Sequence, residues 1–161
     1  MALSSITPEI FRRACSKFAT GVTITTVIGP EGQPHGLTAN SFTSVSCCPP
    51  LVLICLDRRC NILPYFEENS HFGINVLAEE QRDLSVRFAR RGEDRFDTIS
   101  WGPGETGVPL LAGALATLEC RIRQKLDAGD HTLIIGEVIH STIRDGRPLL
   151  FFNSSYQRLV Q

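Results

Sequence analysis

Apolar positions first recur at helical spacing. Ile10, Phe11, Ala14, Cys15 and Phe18 follow Thr7-Pro8-Glu9, which supplies an N-cap hydroxyl, a proline at the first helical position and an acid in the first turn. Gly21 is the expected stop. Residues 22–28 are rich in β-branched side chains and predict a strand. Gly29-Pro30-Glu31-Gly32 predicts a turn, and residues 34–46 return as the second arm of a hairpin. Residues 51–56 are continuously apolar, as in a strand buried on both faces, and 61–68 predict a short helix. Residues 72–77 predict a strand and 79–89 a helix with Leu84 and Phe88 one turn apart. Residues 90–107 predict a loop. Along 116–122, Ala116, Leu118, Cys120 and Ile122 alternate with Thr117, Glu119 and Arg121, so one apolar and one polar face are expected. A long strand over 131–143, a turn at Asp145-Gly146 and a last strand over 148–152 complete the pattern.

Six or seven strands joined mostly by hairpins, with about three helices, do not alternate as a doubly wound fold requires. The expected fold is mainly β with peripheral α: an antiparallel barrel forming a single domain over 1–161.

Composition narrows the function. A formal charge of −1 over 161 residues argues against a nucleic-acid binder. The one dense basic cluster, Arg87, Arg90, Arg91 and Arg95, is interleaved with Glu93, Asp94 and Asp97. No stretch is long and apolar enough for a membrane span. The start MALSSITPEI lacks a charged lead and an apolar signal core, so a cytoplasmic protein is expected. Six cysteines show no Cys-x-x-Cys and no histidine at zinc spacing, so no metal site is expected. Reduced thiols that fill the core or line a pocket are the expectation.

Gly102-Pro103-Gly104-Glu105-Thr106-Gly107 matches the spacing of the dinucleotide fingerprint. That motif works only between a strand and a helix, and Val108-Pro109 follows it here. A flexible loop is expected, and any nicotinamide must bind without that device.

The remaining anomaly is a polar run before the apolar strand: Thr38, Asn40, Ser41, Thr43, Ser44 and Ser46, then Pro49-Pro50. Composition alone leaves open a solvated edge strand or the side of a ligand pocket. Thr38-Ala39-Asn40-Ser41-Phe42-x-Ser44-Val45-Ser46, with Pro49-Pro50-Leu51-Val52 and Leu56-Asp57-Arg58, resembles the flavin reductase-like, FMN-binding split-barrel family. Phe72-Gly73-Ile74-Asn75-Val76-Leu77 with Gln81, then Arg95-Phe96, Gly129-Asp130-His131, and Pro148-Leu149-Leu150 with Tyr156 extend the similarity from Phe11 to Leu159. The short NAD(P)H:flavin reductases that serve two-component monooxygenases are the nearest in pattern.

The resemblance implies a split barrel that binds FMN or FAD, takes hydride from NADH or NADPH, and forms a homodimer that supplies a partner flavin-dependent monooxygenase. It places Leu37, Thr38, Ala39 and Asn40 along the flavin ring edge, and Ser41 and Ser46 by the ribityl chain or phosphate. Asp57, Arg59, Cys60 and Asn61 fall on the family's phosphate contacts, with Cys60 where a hydroxyl is usual. His131 falls beside the nicotinamide as a positioning or polarising group. Phe88, Arg95 and Phe96 would cover that ring, and Cys47 and Tyr156 complete the cofactor's surroundings. Two alternatives stay open: a flavin-holding electron carrier without NAD(P)H turnover, and a related barrel of the pyridoxamine-phosphate oxidase type.

Overall fold

The protein is described from a computed structural model covering residues 6–67, 70–90, 92 and 95–160. Of the basic cluster, Arg91, Glu93 and Asp94 lie outside the described residues, as does Glu68 of the expected short helix.

In chain order the elements are α1 (Pro8–Cys15), β1 (Thr20–Gly21), β2 (Thr23–Ile28), β3 (Pro34–Ala39), β4 (Thr43–Cys47), β5 (Pro50–Asp57), β6 (His71–Val76), α2 (Arg82–Ala89), β7 (Trp101–Pro103), β8 (Pro109–Leu111), β9 (Ala116–Ala128), β10 (His131–Ile143), β11 (Leu150–Phe152) and β12 (Ser155–Gln157). A single 3₁₀ turn at Leu63–Tyr65 stands where a short helix was expected, and a 3₁₀ turn at Glu79–Gln81 opens the expected 79–89 helix and leads into α2, so the described residues hold two α-helices rather than three.

One seven-stranded sheet runs in the order β3-β2-β6-β9-β10-β5-β4, antiparallel throughout. Its two edges, β3 and β4, are joined by only three residues, 40–42. Such a link spans at most about 14 Å, so the sheet must roll until its edges meet. Ser41 fastens this joint: its Oγ accepts from Cys55 N–H at 3.0 Å and donates to Cys55 C=O at 3.0 Å. The expected single strand over 34–46 is therefore two, divided where the chain crosses from one edge of the barrel to the other.

The barrel interior holds Val27, Ile54, Phe66, Phe72, Ile74 and Ile134. A second cluster, with Val22, Ile24, Leu77, Phe88, Leu111 and Leu149, lies under α2. Burying each such side chain contributes about 1.5–3 kcal/mol. β2 is buried along nearly its whole length; Thr23 and Thr26 suit it because they donate to Ala39 O and Pro109 O, whereas Thr25 Oγ1 has no partner among the described residues. β5, expected to be buried on both faces, instead alternates half-buried and buried positions. α1 is capped by Thr7, whose Oγ1 accepts from Ile10 N–H, but it ends at Ser16 rather than Gly21. The chain has to extend there because Thr20 and Gly21 pair with Phe151 and Leu150.

Two expectations along β7–β9 need correction. Gly102 and Pro103 end β7, and residues 104–108 form the hairpin turn to β8, closed by Gly104 N–H to Val108 O and Gly107 N–H to Gly104 O. This turn wraps the Glu119 carboxylate: Glu105 N–H, Thr106 N–H and Thr106 Oγ1 all donate to it, at 3.0, 2.7 and 2.6 Å. Glu119 is thus 4% exposed instead of facing solvent. A Cβ on Gly104 would lie 2.5 Å from that carboxylate, so the glycine is required by close approach.

Candidate active site

The rolled sheet leaves a cavity of about 360 Å³ between the outer edge of β3, the chain leaving β5 and the C-terminal end of α2. Leu37, Thr38, Asp57, Arg59, Cys60, Asn61, Phe88 and Arg95, all expected near a cofactor, line it together. Ala89 and Gly92 join them.

The floor is backbone. β3 bonds β2 on one side only, and its other edge faces the cavity. Arg95 Nη1 donates to Gly36 O on that outer edge. Strand alternation puts the N–H and C=O of Thr38 on the same edge, two residues on. Gly36 has no room for a side chain, since a Cβ would lie 2.9 Å from the Phe88 ring. The Thr38 hydroxyl is already committed, donating to Ser85 O at 2.6 Å. Ser85 Oγ lies 2.7 Å from Tyr156 Oη, so Ser85 ties β3 through its carbonyl and β12 through its hydroxyl to α2. Ser85 escaped the sequence reading; the signal was a serine on the apolar face of an amphipathic helix, one turn before Ala89.

The wall after β5 is charged. Arg59 Nε and Nη2 donate to the two carboxylate oxygens of Asp57, and Arg59 N–H donates to Oδ1. These bonds hold the Asp57 carboxyl well below the usual carboxylate range. Asp57 acts as the counter-ion of Arg59; a carboxylate would repel a phosphate. His131 stands opposite Asp57 in the β10–β5 ladder, half-exposed, with Nδ1 2.7 Å from Asp130 Oδ1. Arg95 is different. Its Nη1 and Nη2 reach only the carbonyls of Gly36 and Arg90, its buried Nε has no partner, and no described carboxylate pairs with it. Burial, offset in part by nearby Cys60, lowers its pKa.

The other expected residues lie elsewhere. Ala39 is buried, its carbonyl taken by Thr23. Asn40 lines a separate cavity of about 370 Å³ with Phe18, Thr20 and Phe42. The Ser41 hydroxyl is spent on Cys55. Ser46 is half-buried and Cys47 exposed on β4. Phe96 lies in an adjoining cavity, and Tyr156 in one beyond α2. Of the cysteines, Cys120 is buried and Cys60 lines the site, as expected; Cys15, Cys47 and Cys48 are exposed, so packing does not account for them.

A planar polar group with a phosphate fits this lining: a free backbone edge, small residues, and two guanidiniums against one carboxylate. The sequence as a whole decides the family. The flavin reductase like domain matches residues 15–160. The chain belongs to the flavin reductase-like family. It is 47% identical over 148 residues to the FMN reductase (NADH) SmoA of Agrobacterium fabrum, covering 92% of this chain and 84% of that protein. It is 40% identical to HsaB of Rhodococcus jostii, the reductase subunit of a flavin-dependent monooxygenase, over 97% of this chain and 80% of HsaB. Among solved structures, the NADH:FAD oxidoreductase SgcE6 of Streptomyces globisporus, in complex with NAD and FAD fragments, superposes with a TM-score of 0.90 at 40% identity, covering 98% of both chains.

Proposed function

We propose that the protein is an NADH:flavin oxidoreductase that binds FMN or FAD in the cavity between β3 and the chain after β5. The observation that carries this reading is the free outer edge of β3 facing Arg59 and Arg95 across one cavity, in a chain similar over nearly its full length to NADH-dependent flavin reductases. A flavin held along Thr38 and by Arg59 and Arg95 would supply the ring that takes hydride from the nicotinamide, and the kinship with a monooxygenase reductase subunit points to a separate oxygenase component as the electrons' destination.

The chain's own part is binding and orientation. The N–H and C=O of Thr38 read the polar edge of a ring laid along β3. Phe88 supplies an apolar side, and Leu37 another. Arg59 and Arg95 attract the phosphate end. His131 does not line the cavity itself; it stands across the β10–β5 ladder from Asp57, which does, with Nδ1 2.7 Å from Asp130 Oδ1, and from there it orients the nicotinamide. A homodimer completes the assembly. Its support is the apolar surface left open by α1 and β4, where Phe11, Phe18 and Val45 are exposed, and the separation of Asn40 to Cys47 from the cavity within one chain.

The decisive experiment is an absorbance titration with FMN and FAD, followed by anaerobic addition of NADH or NADPH. A yellow complex bleached by NADH is expected. Flavin that binds and stays oxidised with both nicotinamides would favour an electron carrier instead.

A further inference from the structure

Three rings stand in file from the flavin cavity to the surface. The Phe88 and Phe96 centroids are 5.0 Å apart with their planes at 84°, and those of Phe96 and Trp101 are 5.5 Å apart at 77°. Both contacts are edge-to-face, an arrangement that ring quadrupoles favour. The inner end of the file is fixed. Phe88 is 1% exposed, lines the cavity, and lies so close to Gly36 that a Cβ there would be 2.9 Å from its ring. The outer end is fixed as well. Trp101 opens β7 and stands opposite Leu111 of β8. Leu111 N–H donates to Asn75 Oδ1 and Thr26 Oγ1 donates to Pro109 O, so the hairpin is bonded to β6 and β2.

The chain between these ends begins at Arg95. Of residues 96–100, Phe96 and Ile99 are half-buried, packed against the cluster under α2, and Asp97, Thr98 and Ser100 are exposed. Trp101 is itself 37% exposed, so its indole adds little to the core; what it covers is Phe96. Arg95, next in sequence to Phe96, donates from Nη1 to Gly36 O on the outer edge of β3. The guanidinium and the Phe88 ring thus converge on one residue of the cavity floor.

We infer that Trp101 is a positioning residue for Arg95: by holding Phe96 edge-on, it fixes the guanidinium at the β3 edge, where Arg95 meets the phosphate end of a bound flavin. A tryptophan that served the hairpin alone would need no partner on the far side of residues 97–100. Without the indole, Phe96 is free to turn, and the backbone that aims Arg95 turns with it. The N–H and C=O of Thr38 belong to β3 and stay in place. The phosphate contact is therefore weakened while the ring contact is kept.

The inference rests on the flavin reductase reading of the cavity. The test measures dissociation constants for FMN and for riboflavin, which lacks the phosphate, in the natural protein, Trp101→Ala and Trp101→Phe, with chemical denaturation of each. Trp101→Ala is expected to raise the FMN constant about tenfold and to leave the riboflavin constant within about twofold. Trp101→Phe keeps an aromatic edge on Phe96 and is expected to restore FMN binding. Lost stability alone would not change the ratio between the two ligands. An unchanged ratio in Trp101→Ala, whether through no loss or through equal loss of both ligands, overturns the inference. Should Trp101→Ala fail to fold, Trp101→Leu, which keeps apolar bulk without the ring, carries the same test with the same outcomes. A natural protein that binds neither ligand would instead overturn the flavin reading itself.

Discussion

Asp57 and Arg59 hold one another in a two-pronged ion pair on the cavity wall, with Nε 3.1 Å from Oδ1 and Nη2 2.7 Å from Oδ2. The pair has a consequence for any phosphate bound nearby. Arg59 must turn from Asp57 to reach it, and the carboxylate then faces a like charge. Asp57→Asn removes that competition, so FMN affinity should rise about three- to tenfold while riboflavin, which lacks the phosphate, is unaffected. Fluorescence titrations of both ligands check this. An equal change for the two would place the effect away from the phosphate. Because its hydrogen bonds depress the Asp57 carboxyl, the ion pair contributes above the ordinary carboxylate range and is lost only as pH falls below it. The affinity gap between variant and natural protein should therefore hold from pH 5 to 8.

Glu119 offers a second pH test. Burial alone would raise its carboxyl, but the hydroxyl and N–H of Thr106 and the N–H of Glu105 outweigh burial and hold it below its usual value. Its contribution to stability is therefore complete above the unfolded value near 4.3 and is lost as pH falls through the lower folded value. Glu119→Gln turns an amide NH₂ toward donors that need an acceptor. A loss of about 1–3 kcal/mol at pH 7 is expected, with a flatter acid limb. Thermal melts between pH 3 and 7 read both effects.

These two sites show what a linear reading can and cannot reach. The strands of the main sheet, α1, α2 and the β10 range were legible because β-branched runs and alternation are local, but the short strands β1, β7, β8 and β12 were not, and β9 runs to Ala128 past its expected end at Ile122. The family motifs group Leu37, Thr38, Asp57, Arg59, Cys60 and Asn61, and those residues line one cavity. The crossing at 40–42 was not legible, because a strand break depends on which edge each half pairs with. Glu119 looked like the polar face of an alternating strand; only the hairpin folded over it, 14 residues earlier, makes it buried. The same hairpin turned a false dinucleotide fingerprint into a carboxylate clasp.

Tyr156 was expected beside the cofactor, yet its hydroxyl meets Ser85 on the other side of the link to Thr38. Tyr156→Phe should lower stability by about 0.5–1.5 kcal/mol and leave the FMN dissociation constant within about twofold. A larger loss of FMN affinity at unchanged stability would bring Tyr156 back to the cofactor. Chemical denaturation and FMN titration on the same variant separate the two.

The cysteines should label in a defined order. Burial pushes the Cys120 thiol up to about 12, so it should stay unmodified by iodoacetamide at pH 8 until the protein unfolds. Cys48, exposed and outside α1 and β4, should react in the native state, whereas Cys15 and Cys47, exposed within one chain, lie on the α1 and β4 surface assigned to the dimer and should react fully only in the monomer. Cys60 lines the cavity and should react only when FMN is absent. Peptide mapping by mass spectrometry, with and without FMN, reads each thiol separately; protection of Cys60 locates the flavin without relying on turnover.

Assembly can be tested on α1 and the turn after it. None of the residues of α1 is buried, and Phe11 and Phe18 are 60% and 77% exposed. A helix carrying uncovered aromatic side chains is held by little within its own chain, and a second copy is the simplest cover for such a face. Phe18 also borders the cavity that contains Asn40, one of the residues the single chain keeps apart from the flavin-site lining. Phe11→Asp with Phe18→Asp should therefore shift the protein from dimer to monomer in sedimentation velocity and weaken flavin binding at the same time. The barrel should remain folded by circular dichroism, since neither side chain belongs to its core. A natural protein that sediments as a monomer at micromolar concentration while reducing flavin at full rate would contradict the dimer.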